Sequence, residues 1–179
     1  MQQELKIAGN RIGVLIGKGG ATKQRIEERT ESVISIDSEE GLVTIEGEDP
    51  VRVLTAASVV QAIGRGFSPE NAFLLIEDED RVFEQIDLSG IADTPRQLDR
   101  LRGRIIGRDG RAREQIEHMT STHLSVQGKT VAIIGLPEQV KDARTAVEML
   151  IRGVPHEAVF AFLDRKRKEA QADLISYYY

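Results

Sequence analysis

The chain has no cysteine and no tryptophan, and its few phenylalanines and tyrosines make up only 4% of 179 residues. The first absence removes disulfides, thiolate metal ligands and cysteine nucleophiles together. The second means that a hydrophobic content of 40% must build aliphatic cores. No apolar run approaches the ~20 residues that a membrane-spanning helix requires, and the opening MQQELKIAG has no apolar signal-peptide core. The expectation is a soluble, cytoplasmic protein that does not engage a membrane. Histidine is scarce too. His118, His123 and His156 show no metal-ligand spacing on one helix, and no nucleophile–base–orienter set stands out. Neither a metal, a cofactor nor catalysis is therefore expected.

The net charge of −5 argues against a polyanionic partner only as an average. Residues 37–49 carry six acids and no base, and residues 70–93 carry eight acids against Arg81 alone. Residues 94–113, by contrast, hold seven arginines and two acids, and residues 11–29 hold five basic residues against Glu27 and Glu28. Local sign governs recruitment of a polyanion more than the total does.

Both positive stretches contain the same short pattern. Residues 14–29 read VLIGKGGATKQRIEER and residues 104–117 read RIIGRDGRAREQIE. Gly17-Lys18-Gly19-Gly20 and Gly107-Arg108-Asp109-Gly110 are 90 residues apart, and their surroundings repeat at nearly that spacing. Each copy opens on a strand (3–7 and 81–88) and a helix that delivers the Gly-x-x-Gly loop. A second helix follows the loop, around Ile26 and around Ile116. Alternating stretches 32–37 with 42–47, and 123–127 with 130–135, then predict β-hairpins. Asp49-Pro50 and Pro137 open long helices that stop near Gly64 or Gly66 and at Gly153. Short helices begin after Pro69 and Pro155. The spacing predicts an α+β protein of two duplicated domains, residues 1–78 and 79–168, with 169–179 a flexible tail of no clear pattern that is expected to fray.

Two glycines around two variable residues, just before a helix, make a turn in which no side chain screens the backbone. Free N–H groups and the positive helix end then favour a phosphodiester. Ile16 and Ile106 before the loops, with Ile26 and Ile116 beyond them, are expected to floor an apolar groove for bases. Lys18, Lys23 and Arg25 in the first copy, and Arg104, Arg108, Arg111 and Arg113 in the second, are expected to neutralise phosphates. Neither loop has the spacing of a nucleotide-phosphate loop. The run Arg165-Lys166-Arg167-Lys168 reads equally as a solvated helix end or as a further phosphate contact.

The order strand, helix, IGxxG, helix, strand, strand, helix resembles the type I KH domain, whose GxxG loop clamps about four nucleotides of single strand. The resemblance covers roughly residues 2–155. The second half, from GRIIGRDGRAREQIEHMT through ARTAVEMLIRG to Pro155, is similar to the second KH domain of the Dim/Partner-of-Nob family of small-subunit ribosome-assembly factors, in its archaeal form. That resemblance implies two tandem type I KH domains, each a three-stranded antiparallel sheet packed against helices. It also implies single-stranded RNA near the 3′ end of small-subunit ribosomal RNA as target. The partners it implies are the alpha subunit of translation initiation factor two and the Nob endonuclease. Asp109 departs from the family pattern by placing an anion in the second loop. The first loop, GKGG, is intact, where eukaryotic relatives tend to have a degenerate one. A general KH protein of RNA decay or termination complexes, and an adaptor that chiefly binds protein, remain alternative readings.

Overall fold

The computed structural model describes residues 1–179, which divide into two compact units, Met1–Phe83 and Glu84–Tyr179. In the first, β1 (Gln2–Lys6) leads into α1 (Gly9–Ile16), the first Gly-x-x-Gly loop and α2 (Ala21–Thr30). The hairpin β2 (Val33–Asp37) and β3 (Leu42–Glu46) follows, then α3 (Pro50–Gly64). The expected single helix after Pro69 is two short ones, α4 (Pro69–Ala72) and α5 (Leu74–Glu77), which meet at Phe73.

The sheet has the order β1-β3-β2. The central strand is antiparallel to both neighbours, with Glu46 opposite Gln2 on one side and Val33 on the other. This register follows from the period-two alternation: it turns Ile34, Val43 and Ile45 inward together. The helices close over that face through Leu15, Ile26, Val53 and Ile63, all fully buried. Asp49 caps α3 by accepting from the Val51 amide at 2.9 Å, with Pro50 in the first turn.

The second plan repeats the first with β4 (Val82–Asp87, which spans the boundary between the units), α6 (Pro95–Ile106), the second loop, α7 (Arg111–Thr120), β5 (His123–Gln127), β6 (Thr130–Gly135) and α8 (Pro137–Ile151). Its sheet order is β4-β6-β5. Ile105, Ile116, Ile133, Val147 and Leu150 form its core. A last helix, α9 (His156–Tyr178), packs on α7 and α8 through Val159 and Leu163.

Residues 169–178, which show no clear pattern in the sequence, continue α9, and Tyr179 ends it. Glu169, Ala170, Gln171 and Ala172 are good helix formers, and local propensity extends the helix where no packing does. Every residue from Arg167 onward is exposed. The absence of a burial period hid the helix from a reading based on periodicity.

A polar joint is repeated behind each loop. Thr30 donates to the Ile26 carbonyl and pairs with Ser32 at 2.7 Å, around Glu31 in the left-handed region. Thr120 bonds the Ile116 carbonyl and Thr122 in the same way, around Ser121. Glu27 and Glu117 each accept the first inward amide of the next strand, Ile34 and Leu124, at 3.0 Å. These satisfied contacts, the threonine pairs buried and the glutamate bonds half-buried, hold each loop-bearing helix against the edge strand of its sheet.

Candidate nucleic-acid interface

The two loops share one backbone conformation. Gly17 and Gly107 have φ/ψ of 75°/176° and 74°/178°, and Gly20 and Gly110 have 78°/10° and 75°/9°. A Cβ on Gly17 would lie 2.8 Å from the Thr22 amide nitrogen, and one on Gly107 would lie 2.6 Å from the Ala112 Cβ. The first glycine of each loop is therefore required both by its positive φ and by the close return of the next helix. The third position is different. Gly19 (φ 62°) faces open space, and Asp109 (φ 55°) stands at its counterpart. Space permits a side chain there, and aspartate is among the residues that tolerate this conformation.

Each loop ends at the N-terminus of a ten-residue helix that no side chain caps, so the positive end of the helix dipole lies at the loop. The electrostatics around them differ. The first turn of α2 carries no acid, whereas the second loop region carries Asp109 and Glu114. Lys18, Arg108 and Arg111 are exposed and make no ion pair.

The other cations named from the sequence are engaged within the chain. Lys23 pairs with Glu27 at 3.2 Å, and the Arg25 guanidinium lies 4.4 Å from the centre of the Phe73 ring. Arg113 pairs with Glu117 at 3.1 Å and also reaches the Leu124 carbonyl. Arg104 donates through Nε to the Leu150 carbonyl at 3.0 Å and through Nη2 to the Val154 carbonyl at 2.7 Å. In the first unit Arg11 makes the same pair of bonds, to the Ile63 and Phe67 carbonyls at 2.8 and 2.7 Å. Burial pushes the Arg11 pKa down from its ordinary value. Charge pattern alone does not distinguish such clamps from phosphate ligands, because their acceptors are carbonyls about fifty residues away.

Ile16 and Ile106 are half-buried beside their loops, whereas Ile26 and Ile116 are fully buried. The expected groove floor thus reduces to Ile16 and Ile106, and the later isoleucines belong to the core. Sequence reasoning missed the open strand edges. The Ile34 amide turns away from β3 to meet Glu27, so the two-residue period of a strand turns the amides of Ile36, and in the second unit Val126, to the same open edge. The hairpin tips at the ends of these edges have opposite sign: Asp37, Glu39 and Glu40 in the first unit, Lys129 in the second.

The basic run 165–168 lies apart from this interface. Arg104 sits at the C-terminal end of α8, while Lys166 is close enough to Asp142, near the other end, to influence its protonation. Helix α9 therefore runs back along α8, away from the second loop, and Arg167 and Lys168 both pair with Asp164 at 3.0 Å. A cavity of about 930 Å³ in the first unit, lined by Arg29, Val51, Arg52, Leu54, Leu75 and Phe83 among others, includes no loop residue.

Known proteins repeat this geometry. The KH domain family model matches residues 2–62, and the model described as the eukaryotic type KH domain (KH-domain type I) matches residues 82–168. A KH domain-containing protein of Methanocaldococcus jannaschii is 46% identical over 169 residues, covering 92% of this chain and 74% of that one. The crystal structure of Dim2p from Pyrococcus horikoshii is 51% identical and aligns with a TM-score of 0.86 over 92% of this chain and 99% of its own. The same organism's a/eIF2alpha–aDim2p–rRNA complex contains a chain 50% identical, with a TM-score of 0.87 over 94% of this chain and 95% of that one. The pre-rRNA-processing protein PNO1 of Chaetomium thermophilum is 30% identical over 106 residues, covering 58% of this chain. That alignment spans 41% of the fungal protein. No helix is long and apolar enough to cross a membrane.

Proposed function

Because this chain belongs to the Dim2/PNO1 family of tandem KH-domain proteins, we propose that it binds single-stranded RNA near the 3′ end of small-subunit ribosomal RNA during maturation. It does so as a binding factor and not as an enzyme. The observation that carries the reading is the pair of loops with one backbone conformation, each opening a helix N-terminus beside unpaired cations.

The chemistry follows from the parts. The glycines let a phosphodiester approach the loop amides, and the helix dipole and Lys18, or Arg108 with Arg111, stabilise its charge. Bases then lie across Ile16 or Ile106, with the edges of β2 and β5 offering backbone donors and acceptors. The rRNA and the translation initiation factor two alpha subunit named with the Pyrococcus relative support the same partners here. The Nob endonuclease is proposed on the family resemblance, and cytoplasmic location on the ribosomal role.

The adaptor reading draws on one observation: the first unit's acidic hairpin tip stands at the open edge of β2, where a polyanion would be repelled. Charge reversal separates the readings. Lys18→Glu and the pair Arg108→Glu with Arg111→Glu should each weaken binding to a short single strand by about ten-fold or more at moderate salt. Retention of full affinity in both variants would favour the adaptor.

A further inference from the structure

The last residues of α6 leave carbonyls without intrahelical partners, as at any helix end. Gly107 closes one of them by donating to the Gly103 carbonyl at 2.8 Å. The next, on Arg104, is met by His156 Nε2 at 2.7 Å. A carbonyl only accepts, so Nε2 must carry the hydrogen. Arg104 at the same time sends its guanidinium to the carbonyls of Leu150 and Val154, just ahead of His156. The result is a closed circuit: α6 grips the corner between α8 and α9, and the first residue of α9 grips α6 back. The circuit sits three residues before Gly107.

The first unit has only half of this device. Its clamp, Arg11, lies six residues before Gly17, one helical turn farther from the loop. Pro69 answers Pro155, and the residue after it is Glu70, whose carboxylate cannot donate to a carbonyl as His156 does.

We propose that His156 is a positioning residue for the second loop, holding the end of α6 through the Arg104 carbonyl and so coupling the phosphate clamp to α9. Its importance for RNA rests on the reading of that loop as a phosphate clamp. The positioning itself does not, and it is measured without RNA.

Amide hydrogen exchange on the full chain compares the native protein with His156→Phe and His156→Gln. Phenylalanine keeps a ring near Phe160, whose centre lies 6.2 Å from the imidazole, but donates nothing. Glutamine keeps an N–H donor at similar reach. His156→Phe should raise exchange at Gly107–Gly110 about five-fold, as expected for one lost hydrogen bond, and leave Gly17–Gly20 unchanged. His156→Gln should stay near the native rate. Native exchange in His156→Phe, or equal loosening in both variants, would overturn the proposal. In an RNA titration His156→Phe should weaken affinity by a similar factor with an unchanged salt slope, since no phosphate contact is removed. A shallower slope would make His156 itself an RNA contact and overturn its positioning role. If native protein bound no RNA, the functional reading would fall while the exchange result still decided the positioning.

Discussion

Asp109 adopts φ 55° and ψ 27°, the conformation that Gly19 adopts in the first loop at φ 62° and ψ 22°. The second loop therefore keeps the backbone shape of the first while setting a carboxylate among the groups expected to meet phosphate. Shape and charge have been separated at one position, and the consequences of each are measurable.

Asp109→Asn removes the charge and keeps a residue that tolerates the left-handed region. RNA affinity should rise about two- to five-fold at low salt, with the gain shrinking as salt increases. Asp109→Gly should show the same gain. An anisotropy titration of both variants at two salt concentrations checks this.

Gly107→Ala and Gly103→Ala make a matched pair. The first forces a Cβ against Ala112 at a positive φ and should cost about 1–3 kcal/mol of stability, read by denaturant unfolding. The second adds a methyl to open space inside α6 and should stabilise by about 0.5–1 kcal/mol, with RNA binding unchanged.

Arg104→Lys and Arg108→Lys distinguish a clamp from a phosphate ligand. Lysine does not reproduce the two-pronged bond to the Leu150 and Val154 carbonyls, so Arg104→Lys should lower stability by about 1–3 kcal/mol. Arg108→Lys should leave stability unchanged, because the exposed Arg108 has no partner to lose.

The sequence carried the fold where burial is periodic. Alternation in SVISID and LVTIEG marks both strands of the first hairpin, and Asp49-Pro50 marks the start of α3 because capping is local chemistry. Tertiary contacts were beyond such reasoning. Arg104 reads as one more cation in an arginine-rich stretch, and only the fold reveals the carbonyls it meets. Ile26 and Ile116 share the helical spacing of groove residues, yet the sheet lies on their side of the helix. The end of α9 has no buried face to give it a period. The loops themselves were legible, because a positive φ needs glycine wherever a Cβ would strike the next helix.

Asp142, half-buried on α8, has its pKa raised above the ordinary 3.8 mainly by burial, with Lys166 opposing the shift. An acid whose folded pKa is raised binds its proton more tightly when folded, so its ionisation opposes folding. The penalty is absent below the unfolded pKa and grows as pH rises from there through the folded value. Asp142→Asn should therefore raise the melting temperature at pH 7 relative to the native chain. The advantage should disappear as pH falls through the carboxylate range, as thermal melts across pH would show.

Single-strand recognition of ribosomal RNA by these loops is open to direct measurement. The most direct test is fluorescence anisotropy at fixed moderate salt, comparing a short oligonucleotide from the 3′ end of small-subunit ribosomal RNA with a scrambled strand of the same composition. Clear preference for the ribosomal strand is expected, lost together with affinity in Gly107→Ala. Equal affinity for both strands, or binding to neither, would contradict it.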